Sequence, residues 1–280
     1  MIRNEGPYLQ EWLDFHIALG VDRFILYDNG STDQTLRICE PYVRDGVVTV
    51  VPWINFSIWS NHQRAAYAHA LANYGPDTTW MGFFDVDEFM MPLSACSLKD
   101  ILRAREDLPA LLVAGIHFGT SGHVVRPKGG VVESYRMAVP MHVQRRYPED
   151  LISTKGFVRP SSVEAIVSLH WFRLRGTRAS GYTEHGLPIY GRCEAAGDRL
   201  TVDVIRYNHY FTRSREEFER KARGPDARGP LWSGARAGKR RMFELIEAFS
   251  HEERFADEHL LEARRARSDG TPDIEGASAA

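Results

Sequence analysis

The sequence predicts an α/β protein built on a doubly wound, mostly parallel sheet flanked by helices. Three observations carry this. Apolar strand-like runs alternate with helical patterns through roughly the first ninety residues, as in parallel sheets. Two of those runs end in polar loops, residues 28 to 33 and 85 to 88, where such sheets bind ligands. Neither an internal repeat nor a linker long enough to divide the chain interrupts the pattern.

Each element follows from local signals. Between Glu5 and Leu19, Tyr8, Trp12, Phe15 and Leu19 form one helical stripe, Pro7 suits a first turn, and Gly20 suits a helix end. Arg23 to Tyr27 and Val47 to Val51 read as buried strands around a helix from Thr35 to Val43. Ala66, Tyr67, Ala70, Leu71 and Tyr74 mark one face of a helix from His62 to Tyr74, stopped by Gly75-Pro76. Trp80 to Phe84 is the next strand and delivers Asp85, Asp87 and Glu88 at its end. Ser97 to Asp100 resembles a capping box, Leu111 to Ile116 a strand, and Ser214 with Glu217 another helix start. Short strands and loops are expected from His117 to Val158. The expected layout is a main domain over 1–238, an amphipathic helix over 239–267 and a disordered tail over 268–280.

Composition narrows the function classes. Lys plus Arg number 35 against 37 Asp plus Glu, so near-neutrality argues against a whole-surface nucleic-acid binder. Cys39, Cys96 and Cys193 lack CxxC spacing and suit a reducing compartment. No run approaches the roughly 18 apolar residues of a membrane span. The expectation is a soluble, cytoplasmic chain without a membrane span or a nucleic-acid partner.

The chemistry concentrates in Asp85-Val86-Asp87-Glu88-Phe89. Carboxylates directly after an apolar strand are costly unless they face water or a cation. In an extended segment Asp85 and Asp87 point the same way, so both reach one divalent ion or its bound water. Mn²⁺ or Mg²⁺ completed by diphosphate oxygens is a recurring nucleotide-handling site.

Other segments add to this. Asn4-Glu5, Tyr8, Glu11-Trp12 and Leu19-Gly20 precede Asp28-Asn29-Gly30-Ser31-Thr32-Asp33, then the DVDEF strand end. Further on come Phe118 to His123, Arg126-Pro127, Lys155, Val158-Arg159-Pro160, His170-Trp171 and Asn208 to Ser214. Together these blocks resemble family-2-like glycosyltransferases, most closely the branch related to family 92, over roughly residues 2 to 224. The resemblance implies a GT-A type, Rossmann-like fold with a smaller mixed C-terminal region on the acceptor side. It implies inverting, metal-dependent transfer from a nucleotide-sugar, UDP-galactose being the family's suggestion, to a glycan or other hydroxyl acceptor. A bacterial source is expected.

By the same resemblance, Asn4 and Glu5 end a first strand beside the nucleotide, and Asp28 accepts hydrogen bonds from base or ribose. Asp85 contacts ribose or metal-bound water, Asp87 is the direct metal ligand, and His209 is the candidate third metal contact, with His170 next in line. Imidazole favours Mn²⁺ over Mg²⁺. Lys155 and Arg159 match a family block and are candidates for neutralising the leaving diphosphate. Arg145 and Arg146 fit a solvated face better, and Asp33 fits a helix cap. The general base is not supplied by the resemblance. Glu133 is favoured over Glu184.

Two rivals are a phosphohydrolase using the DxD as nucleophile and acid, and a non-catalytic nucleotide- or sugar-binding module. One feature departs from the family: only Met1, Ile2 and Arg3 precede Asn4, so the interior strand expected there is nearly absent, and the stated start is expected to be late or the chain truncated and poorly stable.

Overall fold

In the computed structural model, residues 1–54, 62–94, 97–192, 197–223 and 234–252 are described. Helix α1 spans Gly6–Ala18 and buries Tyr8, Leu9, Trp12, Leu13, Phe15 and His16, the face that its i, i+3, i+4 spacing lays down. Gly20 takes φ +92°, the left-handed turn that closes it. Strand β1 (Phe24–Asp28), helix α2 (Thr35–Arg44), strand β2 (Val48–Pro52) and helix α3 (His62–Tyr74) follow. β1 and β2 pair in parallel, Phe24 opposite Val48. Asp33 ties the two first helices together: its carboxylate accepts from Thr35 N at 2.9 Å and from Gly6 N at 3.1 Å.

The larger sheet has seven strands. They are β3 (Met81–Gly82), β4 (Glu88–Pro92), β5 (Ala110–His117), β7 (Thr154–Val158), β10 (Gly181–Tyr182), β11 (Pro188–Ile189) and β12 (Ile205–His209). β5 is buried along its whole length. β12 and β10 run parallel to it, while β7 runs antiparallel, as do β4 against β12 and β3 against β7. The sheets are therefore parallel and mixed, not mostly parallel as expected. Hydrophobic periodicity says which residues face the core but not which way a strand runs.

Between β4 and β7, helix α4 (Leu98–Arg103) starts on Ser97, whose side chain accepts from Asp100 N. The stretch expected as short strands and loops instead holds three single-turn helices, α5 (Val131–Ser134), α6 (Met141–Gln144) and α7 (Pro148–Leu151), around strand β6 (Met137–Ala138). Strands β8 (Val163–Ile166) and β9 (Phe172–Leu174) form a separate antiparallel pair.

Helix α8 (Arg215–Arg223) opens on the Ser214–Glu217 box, Ser214 Oγ lying 2.6 Å from Glu217 Oε2. Helix α9 runs Gly234–Phe249 and leads into β13 (His251–Glu252), which pairs with β6. The rest of the segment expected as a terminal helix, and the expected tail, lie outside the described residues, as do Cys96 and Cys193. α9 is packed into the fold: Phe243 stacks on Phe218 at 4.0 Å, and Glu247 takes Thr120 N and Thr120 Oγ1 at 2.7 Å each.

At the start of the chain, Ile2 makes a single parallel bridge to Asp28, and a cavity of about 630 Å³ lies beside it, lined by Ile2, β1 and residues 78 to 84. Among the described residues no helix is long and apolar enough to cross a membrane.

The centre of β5 is packed tightly enough to be tested. A Cβ at Gly115 would stand 2.4 Å from the ring of Tyr207, whose hydroxyl is bonded to Ser153 Oγ at 2.6 Å. Gly115→Ala is expected to cost about 1–3 kcal/mol of stability through this overpacking. A urea denaturation midpoint equal to that of the parent chain would show that Tyr207 yields without cost.

Candidate functional site

The site begins where β3 ends. Asp85 does not continue an extended segment. Glu88 N donates to Asp85 O at 3.0 Å, so residues 85 to 88 make a tight turn, and Asp85 N donates back to Glu88 Oε2 at 3.0 Å. The turn sends the two aspartates apart. Asp85 Oδ2 meets Lys155 Nζ at 2.8 Å and its Oδ1 accepts from Gln63 Nε2 at 3.0 Å. Asp87 Oδ2 accepts from Lys221 Nζ at 2.6 Å.

Helix α1 holds this turn from behind. Trp12 Nε1 donates to Glu88 O at 2.8 Å, and Met90 N donates to His16 Nε2 at 3.2 Å. With Nε2 accepting, the His16 proton sits on Nδ1, 2.8 Å from Trp12 O. β4 pairs with β12 along its other edge, which brings His209 opposite Glu88.

Three atoms then converge. His209 Nε2 lies 3.7 Å from Asp87 Oδ1 and 3.9 Å from Glu88 Oε1, too long for hydrogen bonds and about the separation of two donors on one ion. Asp87, Glu88 and His209 can each offer one atom with all three within 4.8 Å of one another. His209 Nδ1 is buried without a hydrogen-bond partner. Two carboxylates and a neutral imidazole suit Mn²⁺, and with water or phosphate oxygens Mg²⁺.

The charge states follow from burial and neighbours. Burial raises the carboxyl of Asp87, but the Lys221 ammonium, with Arg213 adding to it, outweighs burial and holds it well below the usual range. Burial likewise opposes ionisation of Asp85, which Lys155 restores. Burial works against the Lys155 ammonium, yet Asp85 and Glu88 keep it charged. Glu88 is the surplus anion: burial pushes it up to about 8, with Asp85 and Asp87 adding to the rise and Lys155 opposing it. Burial drives the His209 imidazole well below its ordinary range, leaving it neutral.

The candidates from sequence fall into two groups. Asp85, Asp87, Lys155 and His209 are brought together, but with a different division of labour. Lys155 is 2% exposed and bound to Asp85 and Glu88 rather than directed at an open groove. Glu88, beside Asp87, occupies the place foreseen for Asp85. Asn4, Glu5 and Asp28 are engaged within the chain. Asn4 Oδ1 accepts from Thr32 N at 2.8 Å while its own N–H donates to Ser31 Oγ. Glu5 lies 3.3 Å from Arg213, and Asp28 accepts from the amides of Gly30 and Ser31 at 3.2 and 3.1 Å.

Arg159 stacks 5.4 Å from Trp80 and bonds Pro109, at the start of β5, while His117 at that strand's far end packs on His209. Seven residues of strand, about 23 Å, separate the two ends. Glu184 is buried, and its carboxylate takes the amides of Asp203, Val204 and Ile205 at 2.8–2.9 Å, so it braces the entry to β12. His170 Nδ1 faces Thr154 O at 2.9 Å. Glu133 is exposed on α5, whose first amides, Val131 and Val132, are held by Glu11 at 2.7 and 3.2 Å.

Lys221 and Glu88 were not among the sequence candidates. For Glu88 the signal was present, a third carboxylate in the same four residues. Lys221 carries none: it lies in a helix of ordinary charge pattern, 134 residues from its partner.

Comparison with known proteins gives this geometry its context. A sequence model of glycosyltransferase family 92 matches residues 4–190, and the chain belongs to that family. A family 92 protein of Oryza sativa subsp. japonica is 31% identical over 183 residues, 62% of this chain and 29% of that protein. One of Arabidopsis thaliana is 36% identical over 172 residues, 55% of this chain and again 29% of the relative. A galactan beta-1,4-galactosyltransferase of Arabidopsis thaliana is 28% identical over 105 residues, 35% of this chain and 20% of its own. Each match thus spans under a third of the relative. These relatives are plant proteins and lend no support to the bacterial source expected from the sequence.

The surplus charge on Glu88 makes a testable pH dependence. Its folded pKa, about 8, stands above the ordinary 4.5, so the folded chain holds a proton that the unfolded chain releases. That contribution to stability is complete below about pH 4.5 and lost as pH rises through 8. The metal-free melting temperature should fall between those values, and Glu88→Gln should flatten that fall. Parallel pH profiles for parent and variant would show that Glu88 is ionised throughout.

Proposed function

We propose that this chain transfers a sugar from a nucleotide-sugar, UDP-galactose in the first instance, to a glycan or other hydroxyl acceptor with inversion and with a divalent cation. The observation that carries the reading is the convergence of Asp87 Oδ1, Glu88 Oε1 and His209 Nε2 at distances too long for hydrogen bonds. Membership of family 92 supports transfer, and the galactan galactosyltransferase among the relatives supports galactose.

In this reading Asp87, Glu88 and His209 hold Mn²⁺ or Mg²⁺. When bound, the ion supplies positive charge to the donor's diphosphate as it leaves. Asp85, fixed between Lys155 and Gln63, positions the turn rather than binding the ion. A phosphohydrolase would need a free carboxylate for attack, whereas both oxygens of Asp85 are engaged, by Lys155 and by Gln63. Glu133 is the proposed base, set on a helix whose start is anchored by Glu11 and taking the acceptor's hydroxyl proton.

Asp87→Asn is expected to lower transfer by about 10²-fold or more and to remove Mn²⁺-dependent binding of UDP, with the circular dichroism spectrum preserved. Titration calorimetry showing undiminished Mn²⁺-dependent UDP binding in that variant would overturn the assignment. Glu133→Gln should leave UDP and Mn²⁺ binding unchanged while kcat falls about 10²–10⁴-fold. An unaltered kcat would remove Glu133 from the reaction.

A further inference from the structure

The site contains two lysine–aspartate pairs that differ in one respect. Lys155 is enclosed, its side chain 3% exposed, and it is shared between Asp85 at 2.8 Å and Glu88 at 3.0 Å. Lys221 reaches in from the last turn of α8 with its side chain 39% exposed, and among the described residues Asp87 is its one carboxylate partner, at 2.6 Å. Its other contacts are weak, Phe211 O at 3.4 Å and the Phe211 ring at 4.3 Å. Arg213, the other permanent cation that acts on Asp87, is fastened by Glu5 and by the Tyr8 ring 3.6 Å away. Of these three cations, Lys221 is the one with room to move.

We propose that Lys221 is an exchangeable counter-ion: its ammonium holds Asp87 until a divalent cation takes that carboxylate, and then turns to the diphosphate of the donor. The inference rests on the metal-dependent transferase reading. The reasoning is electrostatic. Asp87 and Lys221 already cancel, so a divalent ion arriving alone meets a like charge beside its ligand. A diphosphate arriving with the ion gives the displaced ammonium a new partner. Four methylenes let the ammonium change partner without movement of the helix. Metal and nucleoside diphosphate therefore bind with positive coupling, each strengthening the other.

The test is Mn²⁺ binding, read from the paramagnetic resonance signal of free Mn²⁺, with and without UDP, in the parent chain, Lys221→Met and Lys221→Arg. Without UDP, Lys221→Met should bind Mn²⁺ about tenfold more tightly than the parent, and with UDP about tenfold more weakly. Lys221→Arg keeps the charge and should stay near the parent in both arms, which separates loss of charge from damage to α8. Equal or weaker Mn²⁺ binding by Lys221→Met without UDP overturns the exchange. So does UDP binding that needs Lys221 but not Mn²⁺, since the ammonium would then be the resident cation. A parent chain that binds no Mn²⁺ in either arm overturns the metal-dependent reading and the exchange with it.

Discussion

Three carboxylates in four residues, placed in the turn between β3 and β4, are the constraint around which the rest of the site is arranged. Buried carboxylates need cations or protons. Lys155 from β7 serves Asp85 and Glu88, and Lys221 from α8 serves Asp87. Glu88 remains in surplus and is pushed toward its neutral form. The neutral imidazole beside it adds a donor rather than a charge. A protein selected only for stability would gain from removing one carboxylate. Retaining all three gives an arrangement that binding a cation would complete.

Much of the frame was legible in the sequence because it rests on local rules. Helix α3 has the bounds that its apolar face and the following Gly-Pro predict, and the boxes at Ser97 and Ser214 open helices where expected. Strand direction was not legible, so the mixed sheet replaced the parallel one. The site was half legible. A run of acidic residues after an apolar strand announces itself, but the turn at Val86-Asp87 that separates the aspartates depends on the side chain of Glu88 and on the support of α1. The cations come from 70 and 134 residues away, a distance over which periodicity carries no information.

The opening motif illustrates a different limit. Its polar residues suggested ligand contacts, yet Asn4 holds the 28–33 loop, Glu5 holds Arg213 and Glu11 holds the first turn of α5. Each of these residues satisfies particular backbone or charged groups across the fold. Polar residues in such an opening motif can thus serve contacts within the chain itself.

The contact between α1 and β4 also sets the register of the strand. Trp12 and His16 are four residues apart on a helix, a rise of about 6 Å, and the groups they meet, Glu88 O and Met90 N, are two residues apart on a strand, about 6.6 Å. The near-match lets one helix serve as a surrogate neighbouring strand over that stretch. A slip of β4 by one residue would turn those backbone groups to the opposite edge and strand both side-chain partners. The helix therefore works as a ruler for the acidic turn, fixing where along the sheet its carboxylates emerge. It also closes that part of the edge to pairing with another chain.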